Sequence, residues 1–268
     1  MNKQEQHWTK LFGDITTEKK PWHGNWLVYS PTKEVIKSMS GIRILQANQD
    51  GTIITHTNQF PAPDGQILEK SWQIEKSSCN LADGLLHPAD EKKRAIALLG
   101  KGSSAWVPQK LELGQPFSVE LFLKSDNENT SIGSIYNEHG NLEKILQIRE
   151  NLDIPPAAAK PEIENLSIFS GNWQGIQHSI TPDLEILPVV EKQKLILDPT
   201  AGKNETFLLF DGVILLIPKQ LKLGESFDIS AGKIISDYQY QRLTAKYNEA
   251  GIFNLLIGEI FCLDTSAE

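Results

Sequence analysis

Tyr136-Asn137-Glu138-His139-Gly140 returns 111 residues later as Tyr247-Asn248-Glu249-Ala250-Gly251. Upstream of each copy stands a second matching run. Gly102, Pro108-Gln109-Lys110-Leu111-Glu112-Leu113-Gly114 and Phe117 return at a spacing of 110 as Gly212, Pro218-Lys219-Gln220-Leu221-Lys222-Leu223-Gly224 and Phe227. A third match, Gly24-Asn25-Trp26 with Gly171-Asn172-Trp173, is spaced by 147. All three occur in the same order, so the chain reads as two related domains in tandem. The first carries about 37 extra residues between Trp26 and Gly102.

Working outward, the pattern between these anchors is that of short strands. Trp26–Tyr29, Ile42–Leu45, Thr52–Thr55, Leu68–Ile74, Ala95–Leu99, Phe117–Leu123, Ile132–Tyr136 and Leu142–Ile148 form the first series. Asp50-Gly51 marks a hairpin turn within it. The second series runs Trp173–Ile180, Leu184–Val190, Lys194–Leu197, Thr206–Phe210, Val213–Ile217 and Phe227–Ile229. It ends in two long strands, Lys233–Tyr247 and Ile252–Leu263, with Asp211-Gly212 a further hairpin turn. About eight closely spaced strands per half imply an antiparallel sandwich or barrel, and closure into a barrel removes exposed edges. Ahead of the strands, Trp8, Leu11, Phe12 and Ile15 make one helical stripe that ends at Lys19-Lys20-Pro21. Such a helix plugs or caps the first domain, or else binds a partner. Pro155, Pro156 and Pro161 stiffen the segment between the halves. The division is therefore a first barrel with its leading helix at 1–150, a linker at 151–164 and a second barrel at 165–268.

Composition narrows the function classes. Net charge is −8, with 18 acidic and 17 basic residues in 1–150 against 16 and 9 in 151–268. An acidic second half argues against nucleic acid. No apolar run reaches membrane-span length and the N-terminus has no signal-peptide core, so a cytoplasmic protein without a membrane span is expected. Cys79 and Cys262 lie in different halves and read as small buried hydrophobes, not a disulfide.

The residues offer no catalytic constellation. A nucleophile elbow is missing, and Gly100-Lys101-Gly102-Ser103-Ser104 lacks the residue order of a phosphate loop. The six histidines form no paired ligand motif and read as isolated surface or loop groups; CxxC is absent as well. No metal, cofactor or catalytic residue is therefore assigned. Asp183 and Glu185 share a strand face, most simply a solvated one. Tyr238, Tyr240 and Arg242 also share a face in an alternating strand. Turned inward, they suit an anionic, flat or apolar ligand; turned outward, a protein surface; the third reading is plain packing. The run Phe207–Phe210 to Val213–Ile217 is too apolar for one buried face. It implies cover on both sides, by the other domain, a second copy or a partner.

Gly-x-Trp at a domain start, preceded by a short helix, resembles the opening of lipocalins and the wider calycin group. The resemblance implies that Trp26 and Trp173 each close a barrel and that Gly24 and Gly171 permit close backbone approach. It further implies that an arginine near the last strand, Arg149, or Arg242 in the second half, packs on the tryptophan. Over nearly its full length the chain resembles the cyanobacterial two-barrel family DUF3598. That likeness rests on the tandem arrangement, on Ile168-Phe169-Ser170-Gly171-Asn172-Trp173-Gln174-Gly175 and on Tyr238-Gln239-Tyr240-Gln241-Arg242. The resemblance implies an all-β fold of two tandem antiparallel lipocalin-like (calycin) β-barrels with a short N-terminal helix. A plant relative of this family is a biogenesis factor for the chloroplast ATP synthase. A non-enzymatic assembly or chaperone-type factor contacting ATP synthase head subunits is the function this implies. The alternative is a lipocalin-like carrier or lyase for a small apolar or tetrapyrrole ligand.

Overall fold

The structure is a computed structural model and describes residues 2–98, 103–125, 127–200 and 202–265. The Gly100-Lys101-Gly102 run lies outside them. Helix α1 (Lys3–Phe12) is N-capped by Asn2, whose side chain accepts the Glu5 N–H, and ends at Gly13. Ile15 lies beyond it yet joins Trp8, Leu11 and Phe12 in one apolar cluster, so the expected stripe forms although the helix stops early. Strands β1 (Lys20–Tyr29), β2 (Val35–Ala47), β3 (Ile53–Pro61) and β4 (Ile67–Glu75) follow, then a single turn α2 (Lys76–Cys79). Next come β5 (Asn80–Leu81), β6 (Gly84–His87), β7 (Asp90–Ala97), β8 (Ser104–Pro108), β9 (Phe117–Ser125), β10 (Glu128–Tyr136) and β11 (Leu142–Leu152). These eleven strands form one antiparallel meander whose last strand pairs with its first, a barrel left open only between β4 and β5. Helix α1 closes one end. Trp8 Nε1 donates to the Gly51 carbonyl, and the Ala97 N–H donates to the buried His7 Nε2 at 2.9 Å. Glu5 pairs with Lys76 at 2.6 Å.

The second sheet has seven strands: β12 (Trp173–Ile180), β13 (Val190–Lys192), β14 (Glu205–Leu209), β15 (Val213–Ile217), β16 (Phe227–Ser236), β17 (Gln239–Tyr247) and β18 (Phe253–Leu263). Its strand order repeats that of the first without counterparts to β3–β6. Those four strands, residues 53–87, account for the extra residues of the first half. Two expected strands differ. Of Leu184–Val190 and Lys194–Leu197, only the short β13 forms, because Pro182, Pro188 and Pro199 remove ladder donors and Leu184 takes a φ of 61°. The single long strand expected over Lys233–Tyr247 is a hairpin that turns at Asp237-Tyr238.

The outer faces of the two sheets pack on each other. Val119, Leu121, Leu123, Ile132 and Ile145 meet Phe207, Val213, Leu215, Ile229 and Leu243 in one buried cluster. This explains the doubly apolar β15. Val213, Leu215 and Ile217 face the first sheet, whereas Ile214 and Leu216 face their own interior. The repeated sequence motifs form the seam. The Leu111 N–H donates to the Gly251 carbonyl at 2.7 Å, and its counterpart, the Leu221 N–H, donates to that of Gly140 at 2.8 Å. The Phe253 N–H donates to the Gln109 carbonyl, and Leu142 N–H to that of Lys219. Tyr136 Oη donates to the Pro218 carbonyl at 2.9 Å and Tyr247 Oη to that of Pro108 at 3.0 Å. Phe117 and its counterpart Phe227 touch edge to face, 6.0 Å between ring centroids. Each of these contacts is returned by its repeat partner, the pattern of a two-fold interface. Gly140 and Gly251 both have positive φ, and a Cβ on Gly140 would stand 2.5 Å from the Leu221 carbonyl oxygen.

The Gly-Asn-Trp match behaves differently. Trp26 pairs with Ile148, but Trp173 pairs with Leu263, whose counterpart Leu152 pairs with Trp22. By strand register Trp173 therefore stands for Trp22, and Gly175, not Gly171, for Gly24. The tripeptide identity is slipped by four residues.

Replacing Tyr136 or Tyr247 with Phe leaves a buried carbonyl of the opposite sheet without its donor. Each change should cost about 1–2 kcal/mol, with near-equal values for the two. Urea unfolding followed by tryptophan fluorescence and far-ultraviolet circular dichroism checks this. The shared core also predicts one coincident transition in the parent chain; two separate transitions would refute it.

Candidate functional site

Even-numbered residues of β9 point into the first barrel while its odd-numbered residues build the inter-sheet core, so Glu120, Phe122 and Lys124 face inward. Neighbouring strands continue a polar belt at the same height. Lys124 lies opposite Asn129, Asn129 opposite Glu150, and Glu150 opposite Gly24. Glu150 Oε1 stands 3.1 Å from Arg43 Nε, and its Oε2 accepts Asn129 Nδ2 at 2.8 Å. Gly24 makes this possible. A Cβ there would sit 3.0 Å from Glu150 Cγ and 2.8 Å from the Trp26 ring. Burial lifts the Glu150 carboxyl above its usual range against the pull of Arg43 and the Asn129 hydrogen bond.

This belt lines a cavity of about 330 Å³ inside the barrel. Its walls carry Trp22, Trp26, Trp72 and Trp106, and the plug segment closes it with Leu11, Phe12 and Ile15. His56 stacks on Trp72 at 4.1 Å between centroids, and His87 meets Trp106 edge-on at 4.7 Å. Burial pushes His56 down to about 3, with Arg43 adding repulsion, and also lowers His87. Both imidazoles are neutral at ordinary pH. The volume is at the low end of the range for small-molecule sites, and apolar walls with a few convergent polar groups are their usual make-up.

The second half is a seven-stranded sheet whose end strands β13 and β14 do not pair, not the closed barrel expected, and its inner face differs. Trp173, Tyr240, Phe261, Ile214 and Leu216 fill it, with Phe169 edge-on to Tyr240. Burial raises the Tyr240 hydroxyl to about 12. Arg242 lies buried beside Glu259 at 2.7 Å, holds the Ile196 and Leu197 carbonyls, and covers the Phe261 ring. Among the residues singled out from sequence, Tyr240 and Arg242 are thus brought together on the inner face of this sheet, while Tyr238 sits exposed in the turn before β17. The three do not form one surface. Arg149 does not pack on Trp26. It leaves the opposite face of β11, pairs with Asp211 in the β14–β15 turn and donates to the Ala157 carbonyl at 3.1 Å. Trp26 and Trp173 are both buried inside their sheets. Gly171 packs on Leu263.

Two other expectations change. His7, His56 and His87 are not surface groups: the first is buried and the other two line the cavity. Cys262 is exposed, although Cys79 is buried. Lys93 in β7 reaches the cavity, and Arg94 pairs with Asp83 at 3.0 Å. Asp183 and Glu185 are solvated and stand near Lys3. Among the described residues no cluster of three His, Cys, Asp or Glu could hold a metal ion, and no helix is long and apolar enough to cross a membrane. Arg43, Glu150, Glu120 and Lys124 were missed in the sequence because alternation with apolar residues reads as an outer face.

A family model described as "Domain of unknown function (DUF3598), N-terminal" matches residues 4–154. No curated protein matches the chain. A crystal structure from Nostoc punctiforme, described as a protein with unknown function from the DUF3598 family, is similar at TM-score 0.74 and 16% identity. The match covers 96% of this chain and 99% of that one. A putative outer membrane protein from Bacteroides fragilis aligns at 9% identity over 98% of this chain and 100% of that one, but with a TM-score of 0.20. At that value the overlay carries no argument.

Acid should destabilise the protein through its neutral buried imidazoles. Burial and nearby Lys10 lower His7 to about 4, and His56 lies at about 3, against an ordinary 6.5. The unfolded chain binds these protons first, so the stabilisation is present above 6.5 and is lost as pH falls towards the folded values. Two such groups give a slope of up to about 2.7 kcal/mol per pH unit in that window. Urea midpoints at pH ~7, ~5.5 and ~4.5 should fall more steeply for the parent than for the His7→Gln/His56→Gln double variant.

Proposed function

The chain belongs to the DUF3598 family, whose description assigns no activity, and we propose that it is a non-enzymatic binding protein whose first barrel is a lipocalin-like calyx for one small ligand. The cavity carries this reading. An aromatic-walled space persists in the barrel that has the extra strands, while the inner face of the second sheet is filled by Trp173, Tyr240 and Phe261. A volume of about 330 Å³ suits a molecule of a few rings and is small for a tetrapyrrole or a long lipid. Retention of a polar belt inside an apolar wall supports an oriented ligand, since buried polar groups are costly unless partnered.

A second reading is an assembly factor that docks a protein such as an ATP synthase head subunit in the cytoplasm. Exposed Ile186, Val189, Val190 and Ile196 beside the edge strand β13 support it, because apolar residues on an open edge favour pairing with another chain. Affinity capture from native extract tests it: head subunits should be recovered, and the recovery should be lost in a Val189→Glu/Val190→Lys variant.

For the calyx, calorimetric titration with 2-naphthol should show saturable binding of one molecule per chain. Leu45→Trp, which adds bulk to the cavity wall, should abolish it without changing the far-ultraviolet spectrum. Binding that survives this substitution, or failure of the parent chain to bind any flat aromatic probe, would overturn the calyx reading.

A further inference from the structure

Resting on that calyx reading, we propose that its ligand is a flat aromatic acid, held with its anionic group at Lys124 under the α1 plug and its far end, bearing a hydrogen-bond donor, at Glu120.

The cavity's charges do not all cancel internally. Arg43 is matched by Glu150, and Lys93 stands 3.7 Å from Asp90 and donates to Ser118 Oγ at 2.7 Å. Lys124 has no carboxylate within 4 Å among the described residues. Its ammonium lies 5.6 Å from the centre of the Trp22 ring, at the edge of the cavity that Leu11, Phe12 and Ile15 close. Burial draws its proton affinity down, with Asp14 opposing among the described residues. A desolvated cation over an indole face gains from an anion placed beside it, in a setting where Coulomb attraction is stronger than in water. An acid delivered to this point would restore the ammonium to its ordinary affinity.

Glu120 is the complementary end. It lies on the same face of β9 four residues earlier, about 13 Å along the strand, with Phe122 between them. Its Oε1 accepts Ser131 Oγ at 2.8 Å, and no cation lies within 4 Å of it among the described residues. The remaining lone pairs of a carboxylate can take further donors. A cation and an anion at opposite ends of an aromatic slot impose a direction on the ligand. Stacking on the tryptophans supplies affinity for the ring system but no polarity of its own.

Calorimetry with three probes tests this: 6-hydroxy-2-naphthoate, 2-naphthoate and 2-naphthol. The parent chain should bind 6-hydroxy-2-naphthoate tightest and 2-naphthoate at least tenfold more tightly than 2-naphthol. Lys124→Met should remove the naphthoate preference, and Lys124→Arg should keep it. Glu120→Leu should weaken the hydroxy acid to the level of 2-naphthoate. Equal binding of 2-naphthoate and 2-naphthol by the parent chain, a result that needs no variant to fold, would overturn the proposal and leave the calyx standing. Binding of none of the three would overturn the calyx itself.

Discussion

The structure depends on two β-sheets turning their apolar outer faces towards each other. A soluble barrel usually keeps its outside wet and its inside dry. Here β9, β10, β15 and β16 carry apolar side chains on the outside, where the other sheet covers them. Neither face can be left open, because the exposed patch would be far larger than a monomer tolerates. The reciprocal hydrogen bonds of Leu111, Gly251, Leu221 and Gly140 set the register of this contact, and the Tyr136 and Tyr247 hydroxyls satisfy carbonyls that the apolar core would otherwise strand. The geometry is that of a homodimer written into one chain. The repeated tyrosines, Gly140 and Gly251, and Leu111 and Leu221 each have their partner in the other copy.

That constraint explains what was legible in the sequence. The Tyr-Asn-Glu-x-Gly and Pro-x-x-Leu-x-Leu-Gly repeats stood out because the isologous interface demands their Tyr, Gly, Pro and first Leu twice, while the Asn of each copy holds its own turn. Hairpins at Asp50-Gly51 and Asp211-Gly212 were readable because positive φ is a local requirement. The doubly apolar β15 pointed correctly to cover on both faces. The Gly-Asn-Trp identity misled, since inside a barrel a tryptophan can be reached from either Trp22 or Trp26 at the same pleat, and short identity does not fix register. The turn at Asp237-Tyr238 was hidden in a run that alternates well on both sides of it.

The candidate site was less legible, for a physical reason. Alternation reports that two faces differ, not which one is inside. In Phe117-Ser118-Val119-Glu120-Leu121-Phe122-Leu123-Lys124 the apolar set is Phe117, Val119, Leu121 and Leu123, and the ordinary inference sends Glu120 and Lys124 to solvent. The second sheet reverses that assignment by claiming the apolar set for itself. Arg43, Asn129 and Glu150 were missed in the same way, each separated from its partners by the length of a hairpin or more.

The divergence of the two halves follows from the same arrangement. Once the shared face is fixed by both copies, the far side of each sheet is free to change. In the second half the sheet ends at seven strands, and the segment between β13 and β14 crosses the opening, held by Arg242 through the Ile196 and Leu197 carbonyls. Its interior closes on aromatic side chains. In the first half β3–β6 are inserted on the side away from the interface, and they bring His56, Asn58, Trp72 and His87 to the cavity wall. Widening a barrel without filling it leaves unpaired surface inside, which costs stability unless the space is used. The mutual core offsets that cost: the second sheet, its inner face filled by aromatic side chains, backs the wall of the barrel that holds the cavity.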